Sequence, residues 1–311
     1  MLLTRGSTPA APRPVALTIG NFDGVHRGHQ AVLAHLVRGA QARALPAALL
    51  TFEPHPREFF TPATAPTRLS SLREKIELLA ERGIDHLHVQ RFDRRFASLS
   101  PELFIERVLV QGLRTRWLLI GDDFRFGAKR AGDMSQLAAA ARRHYFELEA
   151  MPTIQAGGVR VSSSEVRAAL ARGDLATARV LLGRNYSISG RVRHGEKLGR
   201  QLGFATANLR INHNRPPLTG IFAVRVHGIG KTARDGVASL GYRPTVTDAG
   251  RALLEVHLFD FSGDLYGRHL RVEFLHKLRD EERYDTLDAL KAQIARDCDA
   301  ARRLLGTPID G

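Results

Sequence analysis

The sequence predicts a chain of two domains, a parallel doubly wound α/β sheet over residues 15–183 and a small antiparallel β-barrel with a C-terminal helix over 184–311. Three observations carry that prediction. Up to Gly183, short apolar runs alternate with stretches that repeat their apolar residues at helical spacing, the rhythm of βαβ units. Beyond Gly183 the runs are strand-like and separated by Gly-rich turns, the texture of a small barrel. A length of 311 residues, 43% hydrophobic and 25% charged, is enough for two cores of ordinary size.

Met1–Pro14, with Arg5 and three prolines, reads as a disordered lead-in. Strands are expected at Val15–Gly20, Pro46–Phe52, Ile84–Gln90, Thr115–Gly121 and Tyr145–Met151. Helices are expected between them at Gly28–Ala44, Ser71–Arg82, Pro101–Leu113 and Asp133–His144. Ser71 to Glu74 has the form of a capping box, and Ser100-Pro101 sets an N-cap before a proline at the first helical position. In the second half the expected strands are Ser187–Arg193, Thr206–Arg210, Ile221–His227, Gly236–Leu240, Ala252–Asp260 and His269–Leu275. A closing helix would bury Leu287, Leu290, Ile294, Ala301 and Leu305. The domain boundary is expected near Arg172–Asn185.

Composition narrows the function classes. No apolar run approaches the roughly 20 residues that span a bilayer, so no membrane association is expected. The single cysteine, Cys298, precludes an intrachain disulfide and suits a reducing compartment, so the cytoplasm is the expected location. The net charge of +14 raises the question of nucleic acid. The excess is spread evenly, however: 25 basic against 17 acidic side chains in residues 1–183, and 21 against 15 beyond. With 40 arginines and six lysines it reads as compositional bias or a phosphate-rich small substrate, and no nucleic-acid partner is expected. The oligomeric state is left open.

Two segments of the first half could bind phosphate. After the first strand comes Gly20-Asn21-Phe22-Asp23-Gly24-Val25-His26-Arg27-Gly28-His29. Glycines let backbone N–H groups approach an anion, and the helix that follows points its positive end at it. His26 and His29 could both donate to such an anion, although taken alone His-x-Gly-His also fits two surface histidines capping a turn. Ser162-Ser163-Ser164-Glu165-Val166-Arg167 opens another helix, either as a plain capping box or as a second phosphate site. Two more loops follow strands at the same sheet edge, where such folds bind ligands. They are Phe52-Glu53-Pro54-His55-Pro56 and Gly121-Asp122-Asp123-Phe124-Arg125-Phe126-Gly127, whose aromatics could stack on a planar ring or pack in the core.

In the second half, Gly190 to Arg200 is Gly-rich and basic, with His194, Gly195, Lys197 and Gly199, and reads as a flap able to cover a nucleotide. Thr206 and Asn208 share one face of a strand start; they offer hard oxygen ligands for Mg²⁺ on ATP, or simply face water. Glu255 sits between Leu254 and Val256, opposite the apolar face of its strand, where a solvated carboxylate is the ordinary explanation.

Taken in order, these motifs resemble the bacterial bifunctional riboflavin kinase/FMN adenylyltransferases, from about Val15 to Leu305. The resemblance implies a Rossmann-like nucleotidyltransferase domain, then a kinase domain, using ATP with Mg²⁺ to turn riboflavin into FMN and FMN into FAD. It implies that Gly20, Asn21, Phe22, Asp23, Gly24, His26, Gly28 and His29, with Ser162, Ser163, Ser164 and Arg167, hold the ATP of adenylyl transfer. Pro54, His55, Asp123, Phe124 and Phe126 would then flank the flavin. In the kinase domain, Gly190, His194, Gly195, Lys197, Gly199, Thr206 and Asn208 would hold ATP, Thr206 and Asn208 would ligate the metal, and Glu255 would be catalytic. Ala205 stands where the family usually has proline, and Ser239 where it usually has asparagine.

Overall fold

The computed structural model describes residues 1–7, 9–152, 155–156, 159–194, 203–211, 215–242 and 252–306. Contacts divide the chain into two compact units, Met1–Pro66 with Lys75–Ser162, and Thr67–Glu74 with Ser163–Gly311.

The first unit is built on a parallel sheet of six strands: β1 (Leu2–Gly6), β2 (Val15–Ile19), β3 (Ala47–Glu53), β4 (His86–Arg91), β5 (Thr115–Gly121) and β6 (Glu147–Met151). They lie in the order β1-β4-β3-β2-β5-β6, and every pairing is parallel. Helices α1 (Arg27–Ala42), α2 (Pro56–Phe60), α3 (Leu72–Ala80), α4 (Arg94–Ala97), α5 (Pro101–Phe104) and α6 (Met134–His144) fill the crossovers. A π-helical stretch, Ile105–Gly112, continues α5. All five residues of β2 are buried, as a central parallel strand covered on both faces requires. Leu17 and Leu118 pack on one face with Phe104, Leu109 and Leu137. A hairpin, β7 (Gln155–Ala156) with β8 (Val159–Arg160), ends the unit.

The lead-in is not disordered. Leu2–Gly6 forms β1, in register with His86–Gln90 of β4. Its side chains are mostly exposed, as on an edge strand, so no apolar alternation announces it. What seats it is polar: the Thr4 hydroxyl lies 2.9 Å from His86 Nε2 and 2.8 Å from His88 Nδ1, both rings being buried.

In the second unit β9 (Tyr186–Arg193), β10 (Thr206–Arg210), β11 (Gly220–His227), β12 (Arg234–Tyr242), β13 (Ala252–Leu258) and β14 (His269–Arg279) close an antiparallel barrel in the order β10-β13-β12-β11-β14-β9. Helices α7 (Ser163–Ala171) and α8 (Leu175–Leu182) belong to this unit, and α8 packs on β9 and β14. The change of texture at Gly183 thus marks a change of element type, not the edge of the contacts. Thr67–Glu74 joins the same unit, where the buried Glu74 carboxylate accepts the N–H of Ser189 in β9 and, at 2.7 Å, that of Ser71.

Helix α9 (Leu287–Leu305) keeps much of the expected stripe, with Ala301 buried and Ile294 and Leu305 packed against the barrel cluster, but not all of it. Leu287 is 58% exposed, whereas Asp297, Cys298, Ala301 and Arg302 are buried. Arg279 clamps Asp297 through Nη2 at 2.7 Å, and Arg302 clamps Asp260 at 2.7 Å while lying over the Phe259 ring. Apolar periodicity does not announce Asp297 and Arg302, because they are charged and are buried only as paired groups.

Candidate functional sites

In the first unit the chain leaves β2 at Ile19 and enters α1 at Arg27. Between them Phe22 (φ 47°), Gly24 (φ 76°) and Val25 (φ 40°) take left-handed backbone conformations. For a β-branched residue that is strain of about 1–3 kcal/mol, which folds keep where a loop must hold one shape. His26 caps α1: its Nδ1 accepts the His29 N–H at 3.3 Å, so the neutral ring carries its proton on Nε2. The two imidazoles stack at 3.7 Å between centroids, with Phe22 against His29 at 4.7 Å. A Cβ at Gly28 would lie 3.2 Å from the His26 ring and 3.3 Å from the Val161 carbonyl oxygen, a tight fit that glycine avoids.

This corner is incompletely satisfied. His29 Nδ1 and Asn21 Oδ1 are buried with no hydrogen-bond partner among the described residues. Burial, then His26, then Lys75 push the His29 pKa well below its ordinary value, so the ring stays neutral at pH 7. The first turn of α1 holds no acidic residue, and Lys75 is itself buried. Imidazole N–H groups, helix-end amides and an ammonium together suit a phosphate chain. Asp23, also buried, is the one acidic side chain of the loop. Lys75 escaped the sequence reading because it sits inside an amphipathic helix, with nothing to separate it from a solvated charge.

The remaining loops of this unit divide their expected residues between structure and surface. His55 caps α2, its Nδ1 accepting the Arg57 N–H at 3.1 Å while its own N–H donates to Glu58 at 3.2 Å; Pro54 is exposed. Phe126 is buried, 5.3 Å from Phe104 and 5.7 Å from Phe124, and belongs to the core. Phe124 keeps partial exposure and Asp123 is exposed.

The second unit contains Ser163, Ser164 and Arg167 on the first turns of α7, which begins directly after Ser162. Arg167 Nε donates to the Thr67 carbonyl at 2.6 Å, so a backbone group sets the direction of that side chain.

On the barrel, strand register assembles what the sequence scatters. Asn208 pairs with Glu255, and Glu255 with Ser239 on the other side. Arg193 stands opposite Asn208 from β9, completing a row Arg193–Asn208–Glu255–Ser239. Leu209, Leu254, Val256, Ala238 and Leu240 point inward and are buried, so the row faces outward, with Cβ atoms about 5 Å apart between neighbours. Thr206, two residues before Asn208, shares its face. Ala205, lacking the proline ring, is held by another device: His257 Nδ1 donates to its carbonyl at 3.0 Å. A cleft of about 560 Å³ opens beside Thr206 and Asn208, walled by Leu258, Phe261, Asp264 and Tyr266, a size that suits a nucleotide. The His194 ring lies 3.8 Å from that of Tyr266. Gly190 belongs to β9 rather than to a flap, and a Cβ there would strike the Arg210 carbonyl. Gly195, Lys197 and Gly199 lie outside the described residues. Among the described residues no three His, Cys, Asp or Glu side chains form a metal cage.

The chain is a nucleotide-dependent transferase with two chemistries, as its matches to two family models show. The FAD synthetase family model matches residues 8–165 and the riboflavin kinase model residues 182–305. The bifunctional riboflavin kinase/FMN adenylyltransferase of Escherichia coli K12 is 49% identical over 309 residues, 98% of each chain. That of Haemophilus influenzae is 47% identical over 287 residues, 92% of this chain and 93% of that one. A crystal structure described as a macrolide-efflux protein from Streptococcus pneumoniae has 27% identity and a TM-score of 0.81, covering 97% of this chain and 99% of that one. No helix among the described residues here is long and apolar enough to cross a membrane. The chain belongs to the bifunctional riboflavin kinase/FMN adenylyltransferase family, with the adenylyltransferase domain N-terminal and the riboflavin kinase domain C-terminal, both of which use ATP.

Proposed function

We propose that Glu255, Thr206 and Asn208 carry the kinase reaction, and that His26, His29 and the Gly20–Gly28 loop carry adenylyl transfer. The observation that bears most weight is the direct cross-strand pairing of Asn208 with Glu255. It sets a carboxylate beside two oxygen donors that the sequence separates by about 50 residues. Thr206 and Asn208 are hard ligands suited to Mg²⁺ arriving on ATP, which would supply charge neutralisation between the phosphates.

In the kinase step the terminal ribityl oxygen of riboflavin bonds to the γ-phosphorus as the bond to the ADP oxygen breaks. Glu255 aims that hydroxyl and takes its proton late, as the loose transition state of phosphoryl transfer allows. In the second step an FMN phosphate oxygen attacks the α-phosphorus of ATP and pyrophosphate leaves. That nucleophile is already anionic, so no base is needed, and His26, His29 and the helix-end amides stabilise charge on the transferring group. The N-terminus of α7, with Ser163, Ser164 and Arg167, is a further phosphate-binding element in this reading, and Asp123 and Phe124 contact the flavin. Incubating the protein with riboflavin, ATP and Mg²⁺, then separating the flavins, tests the whole. FMN should precede FAD, and Glu255→Gln should stop the first conversion while FMN supplied directly still becomes FAD.

A further inference from the structure

A second carboxylate stands in the same row as Glu255. Ser239, directly across from Glu255, donates its hydroxyl to Glu281 Oε1 at 3.1 Å. Glu281 lies just past the end of β14 and packs its carboxylate over Gly241, two residues along β12 on the same outward face. A Cβ on Gly241 would occupy the position of that carboxylate. Glycine therefore leaves the seat open and Ser239 fixes what fills it. Glu281 is exposed, so what holds it there is the Ser239 hydrogen bond.

Charge along the row decides which substrate it would meet. Arg193, exposed, stands at one end beside Asn208, and Glu281 at the other beside Ser239, with Glu255 between. Phosphates are favoured at the Arg193 end and repelled where two carboxylates neighbour each other. A neutral polyol has the opposite preference: its hydroxyls donate, and a carboxylate is an acceptor with several lone pairs.

We propose that Glu281 is a substrate-positioning residue of the kinase site, accepting hydrogen bonds from the inner hydroxyls of the ribityl chain so that the terminal one reaches Glu255. The proposal rests on the assignment of Glu255 to that site. Its test is steady-state riboflavin phosphorylation by the full-length protein, with lumiflavin, a flavin ring that has no polyol chain, as competitor. Glu281→Gln should raise KM for riboflavin about tenfold, the loss of roughly one charged hydrogen bond, with KM for ATP and the inhibition constant of lumiflavin unmoved. Gly241→Ala, which displaces the flexible end of Glu281, should shift riboflavin KM the same way while its thermal melt reports an intact fold. An unchanged riboflavin KM in Glu281→Gln, or equal weakening of riboflavin and lumiflavin, would overturn the proposal while leaving Glu255 in place. Full kinase activity in Glu255→Gln, run beside them, would overturn the site assignment and this proposal with it.

Discussion

The loop from Gly20 to His29 and the row from Arg193 to Ser239, the two sites proposed to hold ATP, are made of different material. The loop works with backbone: left-handed Phe22, Gly24 and Val25, a helix end, and imidazoles that the turn itself stacks. The barrel works with side chains on four strands, each ordinary in its own segment and meaningful only once the register sets them side by side. A site built on one turn is rigid from local strain, and its parts stand or fall together. A site built on register can lose or gain single members, so its residues separate more cleanly by mutation.

The largest expected effect falls on the barrel. Glu255→Gln should lower riboflavin phosphorylation by about 10²–10⁴, the range for a positioned base, and leave FMN adenylylation unchanged. Kinase turnover within threefold of the parent protein would place the carboxylate outside the chemistry. The loop comes next. His26→Ala combined with His29→Ala should reduce FAD formation from FMN by about 10²–10³, as the loss of oxyanion-type donors does, with riboflavin still becoming FMN. Because the two rings stack and the His26 ring also accepts the backbone N–H of His29, each single substitution should cost nearly as much as the pair. Additive single losses would show that the rings act independently.

A third effect sets the edge of the α/β sheet against the barrel. Burial holds His88 down at about 4 from an ordinary 6.5 and lowers His86 as well. Above pH 6.5 folded and unfolded chains both keep these rings neutral. As pH falls toward 4 the unfolded chain takes up protons that the folded one does not. Stability therefore declines across that window, by on the order of 3 kcal/mol for His88 alone. Urea unfolding at pH 7 and pH 4.5 should show the loss, and His88→Leu should remove much of it. Equal acid sensitivity in parent and variant would refute the assignment.

Most of the fold was legible because its strands are apolar and its turns carry glycine: β5 and β10 begin and end where alternation places them. What was hidden was polar. Thr4 with His86 and His88 seats β1, Asp297 and Arg302 seat α9, and Glu74 ties Thr67–Glu74 to β9. None has an apolar period. Within the sites, the Gly20–His29 motif could be read because it is contiguous. Lys75 and Glu281 could not, since their relevance depends on what the fold places beside them.

The smallest effect concerns the boundary. Residues 184–311 are expected to fold alone and phosphorylate riboflavin. Since α8 packs on β9 and β14, a fragment from Ser163 should melt about 5 °C or more above it, equivalent to roughly 1 kcal/mol. Identical melting temperatures would mean that α8 contributes nothing to the barrel.

Two separable sites in one chain are tested most directly by complementation. Over a period in which the parent protein completes the conversion, Glu255→Gln alone should make almost no FAD from riboflavin, and the His26/His29 double variant alone should accumulate FMN. Mixed in one tube with ATP and Mg²⁺, they should restore FAD, because FMN released by one is adenylylated by the other. A mixture that still fails, or either variant completing the conversion alone, would contradict the division of the two chemistries between Glu255 and the histidine pair.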